Sequence, residues 1–187
     1  MIMKIMYCFL ACMLVCLISC NSAEKQARRQ FIADSIAQVE AKNYRKAVLV
    51  RMRLDSIQRA QHIDSIKHSI KILEYYLSSP NSVGGVDAHF EYQNLNDKTI
   101  KYLSWYGYPI NAVGDPVTCS IRGYSEHGGQ STGPVEKWQI GGLGYWECMW
   151  YNYQAKKLIL TRVEIEYMDG SRFTIKGNDL YLIGKKR

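Results

Sequence analysis

Asp87 and His89 stand two residues apart in a stretch that alternates apolar and polar. A strand would set both on one face. An imidazole beside a carboxylate is the start of a metal site or an acid–base pair. A third group would have to come from elsewhere, and nothing in the spacing supplies one. His127, in a glycine-rich stretch, is the most accessible partner. The plainer reading, a solvated strand face, is the one adopted. Glu164 and Glu166 also share a strand face, roughly 7 Å apart by strand rise. They alternate with Val163, Ile165 and Tyr167, so they read as the wet side of a half-buried strand. No nucleophile elbow, zinc-type histidine cluster or phosphate-cradling glycine loop is present. Gly141-Gly142-Leu143-Gly144 lacks both the strand-to-helix context and a lysine. The expectation is no catalytic residue, no metal ligand and no cofactor.

Six cysteines suggest a disulfide framework until they are placed: four fall in the first 20 residues, leaving Cys119 and Cys148. In an oxidising compartment these two could bridge neighbouring strands or two sheets. Closing a loop of about 29 residues would add about 3.6 kcal/mol in the chain-entropy account. The alternative is two buried thiols acting as small apolar groups. Aromatics are in surplus. Trp138, Trp146, Trp150 and Tyr151, with Trp105, Tyr145 and Tyr153, crowd one part of the chain. Exposed rings on one sheet could bind a glycan or peptide. Core filling competes with that reading. Between Trp146 and Tyr153 both parities are aromatic, so some rings must lie on each face.

The N-terminus carries a different kind of chemistry. Lys4 precedes a 14-residue apolar run, Ile5 to Ile18. That is short for a membrane span and suits a secretory signal core. The run ends Leu17-Ile18-Ser19-Cys20. This resembles the lipobox of bacterial lipoprotein signal peptides. The resemblance implies that residues 1–19 are removed and that Cys20 carries a diacylglyceryl group and becomes the N-terminus. Two or more acyl chains give stable membrane attachment. Asn21 follows, and by the enterobacterial sorting rule the lack of aspartate there favours the outer membrane. A plain signal peptide or a retained anchor helix are the competing readings.

Residues 22–78 contain no Gly and no Pro, a composition that predicts helix. Ile63, Ile66, Ile70, Leu73 and Leu77 step by three and four, as do Ala47, Val50, Leu54 and Ile57. Both runs are coiled-coil-like, but they are out of phase near Gln61. The expectation is a helical stalk over 20–80, as one helix or two, able to self-associate. Fully helical, Ala23 to Ser78 would span roughly 84 Å. Asp-Ser-Ile occurs at Asp34, Asp55 and Asp64. Such repeats resemble the helical leaders of Bacteroidetes envelope lipoproteins. The stalk holds 11 basic and 6 acidic residues between 21 and 78, net +5 of the chain's +7. Headgroup attraction and a simply solvated helix face both account for that. No aromatic-interleaved basic groove is present, and a nucleic-acid partner is not expected.

After Pro80 the composition changes. All 14 glycines and all four tryptophans lie beyond it. Strands are predicted over 86–93, 99–108, 117–121, 146–153, 158–167 and 172–175, with a glycine-rich loop over 123–136 and a hairpin at Asp169-Gly170. Ile100, Tyr102 and Ser104 are expected to face one way, Leu103 and Trp105 the other. The segments Gly85-Val86-Asp87, Asn94 to Tyr102, Asn111 to Asp115, Gly133-Pro134, Tyr145-Trp146, Trp150 to Asn152 and Val163 to Gly170 resemble an uncharacterised family of small bacterial β-sandwich domains, relatives of the FxLYD-type immunoglobulin-like domains of envelope proteins. The resemblance implies an immunoglobulin-like sandwich over 83–176 at the cell surface, and no reaction. Residues 177–187 read as a tail. The expected fold class is α+β, a long helical stalk followed by an all-β antiparallel sandwich. The expected protein is a lipid-anchored envelope protein, bound to the membrane through Cys20. Its sandwich would be a non-catalytic module for an envelope protein or glycan.

Overall fold

The computed structural model describes the backbone of residues 2–184 and the side chains of residues 24–184. One helix is followed by two four-stranded antiparallel sheets. The chain divides into two units, Met1–Gln58 and Arg59–Arg187. Helix α1 runs Ile2–Lys67. The Asp-Ser-Ile repeats do not break it, and each serine hydroxyl is satisfied within the helix by donating back to a carbonyl of the preceding turn. Ser35 bonds Phe31, Ser56 bonds Arg53 and Ser65 bonds Gln61. In the first unit Phe31, Ile36, Val39, Leu49, Val50 and Leu54 are all exposed. Among the described residues no helix is long and apolar enough to cross a membrane.

The helix ends earlier than its composition predicts, and this is the largest correction to the sequence reading. Residues 70–77 are not stalk but strand β1, Ile70–Leu77. The chain turns at His68-Ser69, where the Ser69 hydroxyl donates to the Ile66 carbonyl at 2.6 Å. The steps of three and four have another solution. Ile70 and Ile72 point into the core, Leu73 is an extra residue in a β-bulge, and Tyr75 and Leu77 resume the inward parity. A period of two interrupted by one bulge imitates a helical seam. Ile66, the last seam residue still in α1, is fully buried against the sandwich.

The first sheet pairs β1 with β2 (Gly85–Asn94). The other edge of β2 takes both β5 (Ile140–Gly141) and β6 (Tyr145–Tyr151). The second sheet has the order β4 (His127–Val135), β3 (Ile100–Ile110), β7 (Lys157–Tyr167), β8 (Arg172–Lys176). The hairpin β7–β8 turns at Asp169-Gly170 as expected, with the Gly170 N–H donating to the Tyr167 carbonyl. A bulge at Lys101 puts Ile100 on the core side with Leu103 and Trp105, rather than with Tyr102. Between the sheets Phe90 stacks on Trp105, with ring centres 5.8 Å apart, and Trp146 meets Trp105 edge-on at 5.4 Å. Asn94, fully buried, holds the β2–β3 turn by donating its amide to the Lys98 and Val135 carbonyls.

Three further expectations fail. The loop over 123–136 contains strand β4. Its glycines serve close packing rather than turning: a Cβ at Gly129 would lie 2.5 Å from the Trp146 indole nitrogen, and one at Gly128 would lie 2.1 Å from the Trp105 carbonyl oxygen. Residues 117–121 form no strand: 117–119 are irregular and a turn begins at Ser120, with only a bridge from Ile110 to Pro116 nearby. The tail folds as a 3-10 helix, Gly177–Leu182. Beyond it Ile183 enters the core and accepts the Ile72 N–H at 2.8 Å.

Candidate functional site

The outer face of the first sheet carries the densest chemistry among the described residues. Inward residues of β2 are Val86, Ala88, Phe90 and Tyr92, all fully buried. Their outward neighbours are therefore Asp87, His89, Glu91 and Gln93. On β1 the Leu73 bulge shifts the pleat by one residue. Glu74 then pairs with Glu91, and Tyr76 pairs with His89. Without the bulge Glu74 would point into the core. From the opposite edge, Tyr145 of β6 pairs with His89.

His89 sits at the centre and is only 9% exposed although it faces outward. Tyr76 stacks on it with ring centres 4.9 Å apart, and Tyr145 leans over it at 5.3 Å. The two tyrosine hydroxyls bond each other at 2.9 Å. That bond, with a smaller contribution from burial, pushes the Tyr76 hydroxyl up to about 12. His89 Nδ1 lies 2.9 Å from the Gly144 carbonyl oxygen. A carbonyl only accepts, so Nδ1 carries a proton. Nε2 then faces the carboxylates, 3.6 Å from Glu91 Oε2. One ligating atom from each of Glu74, His89 and Glu91 lies within 4.8 Å of the others.

Sequence reasoning found His89 but gave it the wrong neighbour. The Asp87 carboxylate accepts the Cys148 N–H at 2.8 Å and braces the bulge in β6. Glu91 could have been found from its spacing two beyond His89. Glu74 could not, because it lay inside a segment read as helix. His127 rests against Tyr124 and Trp150, where burial and then the Arg122 charge hold its imidazole below the usual range. Glu164 and Glu166 are on the outer face of the second sheet. Arg162 meets Glu164 at 2.8 Å, and Arg172 meets Glu166 at 2.9 Å.

The four candidate binding aromatics do not form one surface. Trp150 is fully buried, and its indole N–H donates to the Ser125 carbonyl at 2.7 Å. Trp146 and Tyr151 are half-buried. Trp138 alone is well exposed, at 62%, on a left-handed backbone with φ of 70° and the Lys137 ammonium over its ring. An exposed groove of about 490 Å³ is lined by residues 130–135 and 140–146, Tyr145 and Trp146 among them.

The Cys119–Cys148 bridge is not formed; both are free thiols. Cys119 is buried in the core, and its sulfur accepts the Tyr151 N–H at 3.4 Å. Burial pushes that thiol up, but surrounding backbone N–H groups outweigh it and bring it below the ordinary value. Cys148 sits in the β6 bulge with φ of 48°. The side chain of Cys20 lies outside the described residues. No known protein family, curated protein or solved structure matches the chain.

Proposed function

We propose that this is a lipid-anchored cell-envelope protein that presents a non-catalytic β-sandwich interaction module on a helical stalk. The observation that carries the reading is the apolar run closing on Leu17-Ile18-Ser19-Cys20. A helix with net basic charge follows it, and then a separate compact unit. The lipid on Cys20 supplies the membrane contact, and the outer membrane is its destination. The stalk's exposed Val50, Leu54 and Ile57 support self-association. The sandwich belongs to the immunoglobulin-like class on this reading, and its recognition face is the outer surface of the first sheet. Expression of the full chain in a bacterial host tests the anchor. The Cys20 peptide should carry a diacylglyceryl mass and fractionate with membranes, and Cys20→Ser should release the protein. An unmodified Cys20 in the wild type would count against the reading.

Glycan or peptidoglycan binding is a second reading, favoured by the exposed Trp138 and by Tyr145 beside the groove. It now rests on those two rings and not on Trp146, Trp150 or Tyr151. Soluble peptidoglycan fragments should quench tryptophan fluorescence in the wild type and not in Trp138→Ala. Equal quenching in both would remove Trp138 from the reading.

A further inference from the structure

We propose that Glu74, His89 and Glu91 form a binding site for a first-row divalent cation, zinc in the first instance, with at least one coordination position open to solvent. The inference goes beyond the anchored-module reading and stands separately from it, since metal binding needs no lipid on Cys20.

Three independent observations converge. First, Glu74 and Glu91 are direct cross-strand partners. Like charges directly opposite destabilise a sheet. A bulge at Leu73 creates this pairing, so the arrangement repels itself until a cation joins it. Second, His89 is nine-tenths buried and directed into the pair. Its Nδ1–H is committed to the Gly144 carbonyl, which leaves Nε2 as the free ring nitrogen. Metal-ligating histidines characteristically donate their other N–H to a carbonyl or carboxylate, which fixes the tautomer. Among the described residues Nε2 makes no hydrogen bond, and the Glu91 carboxylate lies 3.6 Å from it. Third, the three ligating atoms already lie within 4.8 Å of one another. Bonds of about 2.0–2.1 Å in a tetrahedral site place ligands about 3.3 Å apart. The remaining closure falls to Glu74, the exposed member of the set, whose side chain is free to swing.

The donor set selects the ion. One imidazole and two carboxylates suit zinc, manganese or ferrous iron better than calcium, which takes six or more oxygens. Stacked Tyr76 and leaning Tyr145 hold the ring in place. Three protein ligands leave the fourth position for water or for an anionic group of a partner, the pattern of an open zinc site.

The test is isothermal titration of zinc chloride into the chelator-treated full chain in detergent. One zinc should bind per chain. Glu74→Gln and Glu91→Gln should each weaken binding by on the order of 10-fold or more, and His127→Ala should leave it unchanged. A second measurement guards against misfolding. Without metal, Glu74→Gln should melt no lower than the wild type, because it removes a repulsion, and the zinc-induced rise in Tm should be lost. Cobalt should give a spectrum without thiolate charge transfer. The proposal is overturned by any of three results: no zinc bound by the wild type, undiminished affinity in both glutamine variants, or a thiolate band placing the ion on Cys119 or Cys148.

Discussion

Replacing Ile72 by alanine separates the two ways of reading residues 63–77. In the sandwich Ile72 is 2% exposed and belongs to the main core cluster. The substitution removes three carbons, worth about 2.4 kcal/mol at about 0.8 kcal/mol per methylene. Incomplete collapse around the vacated space raises the loss to about 3–4 kcal/mol. The Ile72 N–H bond to the Ile183 carbonyl survives, because it is made by backbone. In an exposed stalk helix the same change would have the opposite sign. Alanine is the better helix former, by a few tenths of a kcal/mol. Urea unfolding followed by tryptophan fluorescence measures the difference. All four tryptophans lie in the sandwich unit, so the signal reports on that unit. Lys71→Ala, on the exposed parity of the same strand, should stay within about 0.5 kcal/mol of the wild type. A loss below about 1 kcal/mol for Ile72→Ala would refute the assignment of β1 to the core.

Tyr145→Phe should lower the Tyr76 titration from about 12 toward its ordinary 10.0, read by tyrosinate absorbance. Because the folded value is raised, the stability this bond supplies is complete below pH 10 and is lost as pH climbs toward 12. Asp169 behaves in the opposite sense. Its bonds to Lys98 and Ser171 hold the carboxyl below the ordinary 3.8. Its contribution is therefore present above pH 3.8 and is lost as pH falls through the folded value, so Asp169→Asn should flatten the acid limb of a stability–pH curve. Native alkylation with peptide mapping should label Cys148 well before Cys119, since Cys119 is buried and Cys148 only partly so; equal labelling rates would contradict the packing of Cys119.

The failures of sequence reading share a physical cause. Period-two and period-three-to-four patterns are distinguishable only while the strand is regular. The bulges at Leu73 and Lys101 each shift the parity by one residue. One made a strand look like a coiled-coil seam, and the other put Ile100 on the wrong face. Glycines in β4 read as loop because composition does not reveal that an indole and a carbonyl press against them. The aromatic surplus was visible, but which rings are buried depends on where Trp105 and Phe90 lie across the sheet interface.

By itself, the sequence determined the α+β order, the helical character of residues 24–67 though not where the helix ends, the strands around Phe90, Trp105 and Val163, and the Asp169-Gly170 hairpin. These follow from propensity, alternation and turn chemistry, which are local along the chain. Tertiary structure alone decided the fate of residues 70–77, the separation of Trp150 from Trp138, the free state of Cys119 and Cys148, and the meeting of Glu74 with His89 and Glu91. Each depends on register between strands distant in sequence. A single inserted residue reverses every side chain beyond it, and here that reversal turned Glu74 out of the core to face Glu91.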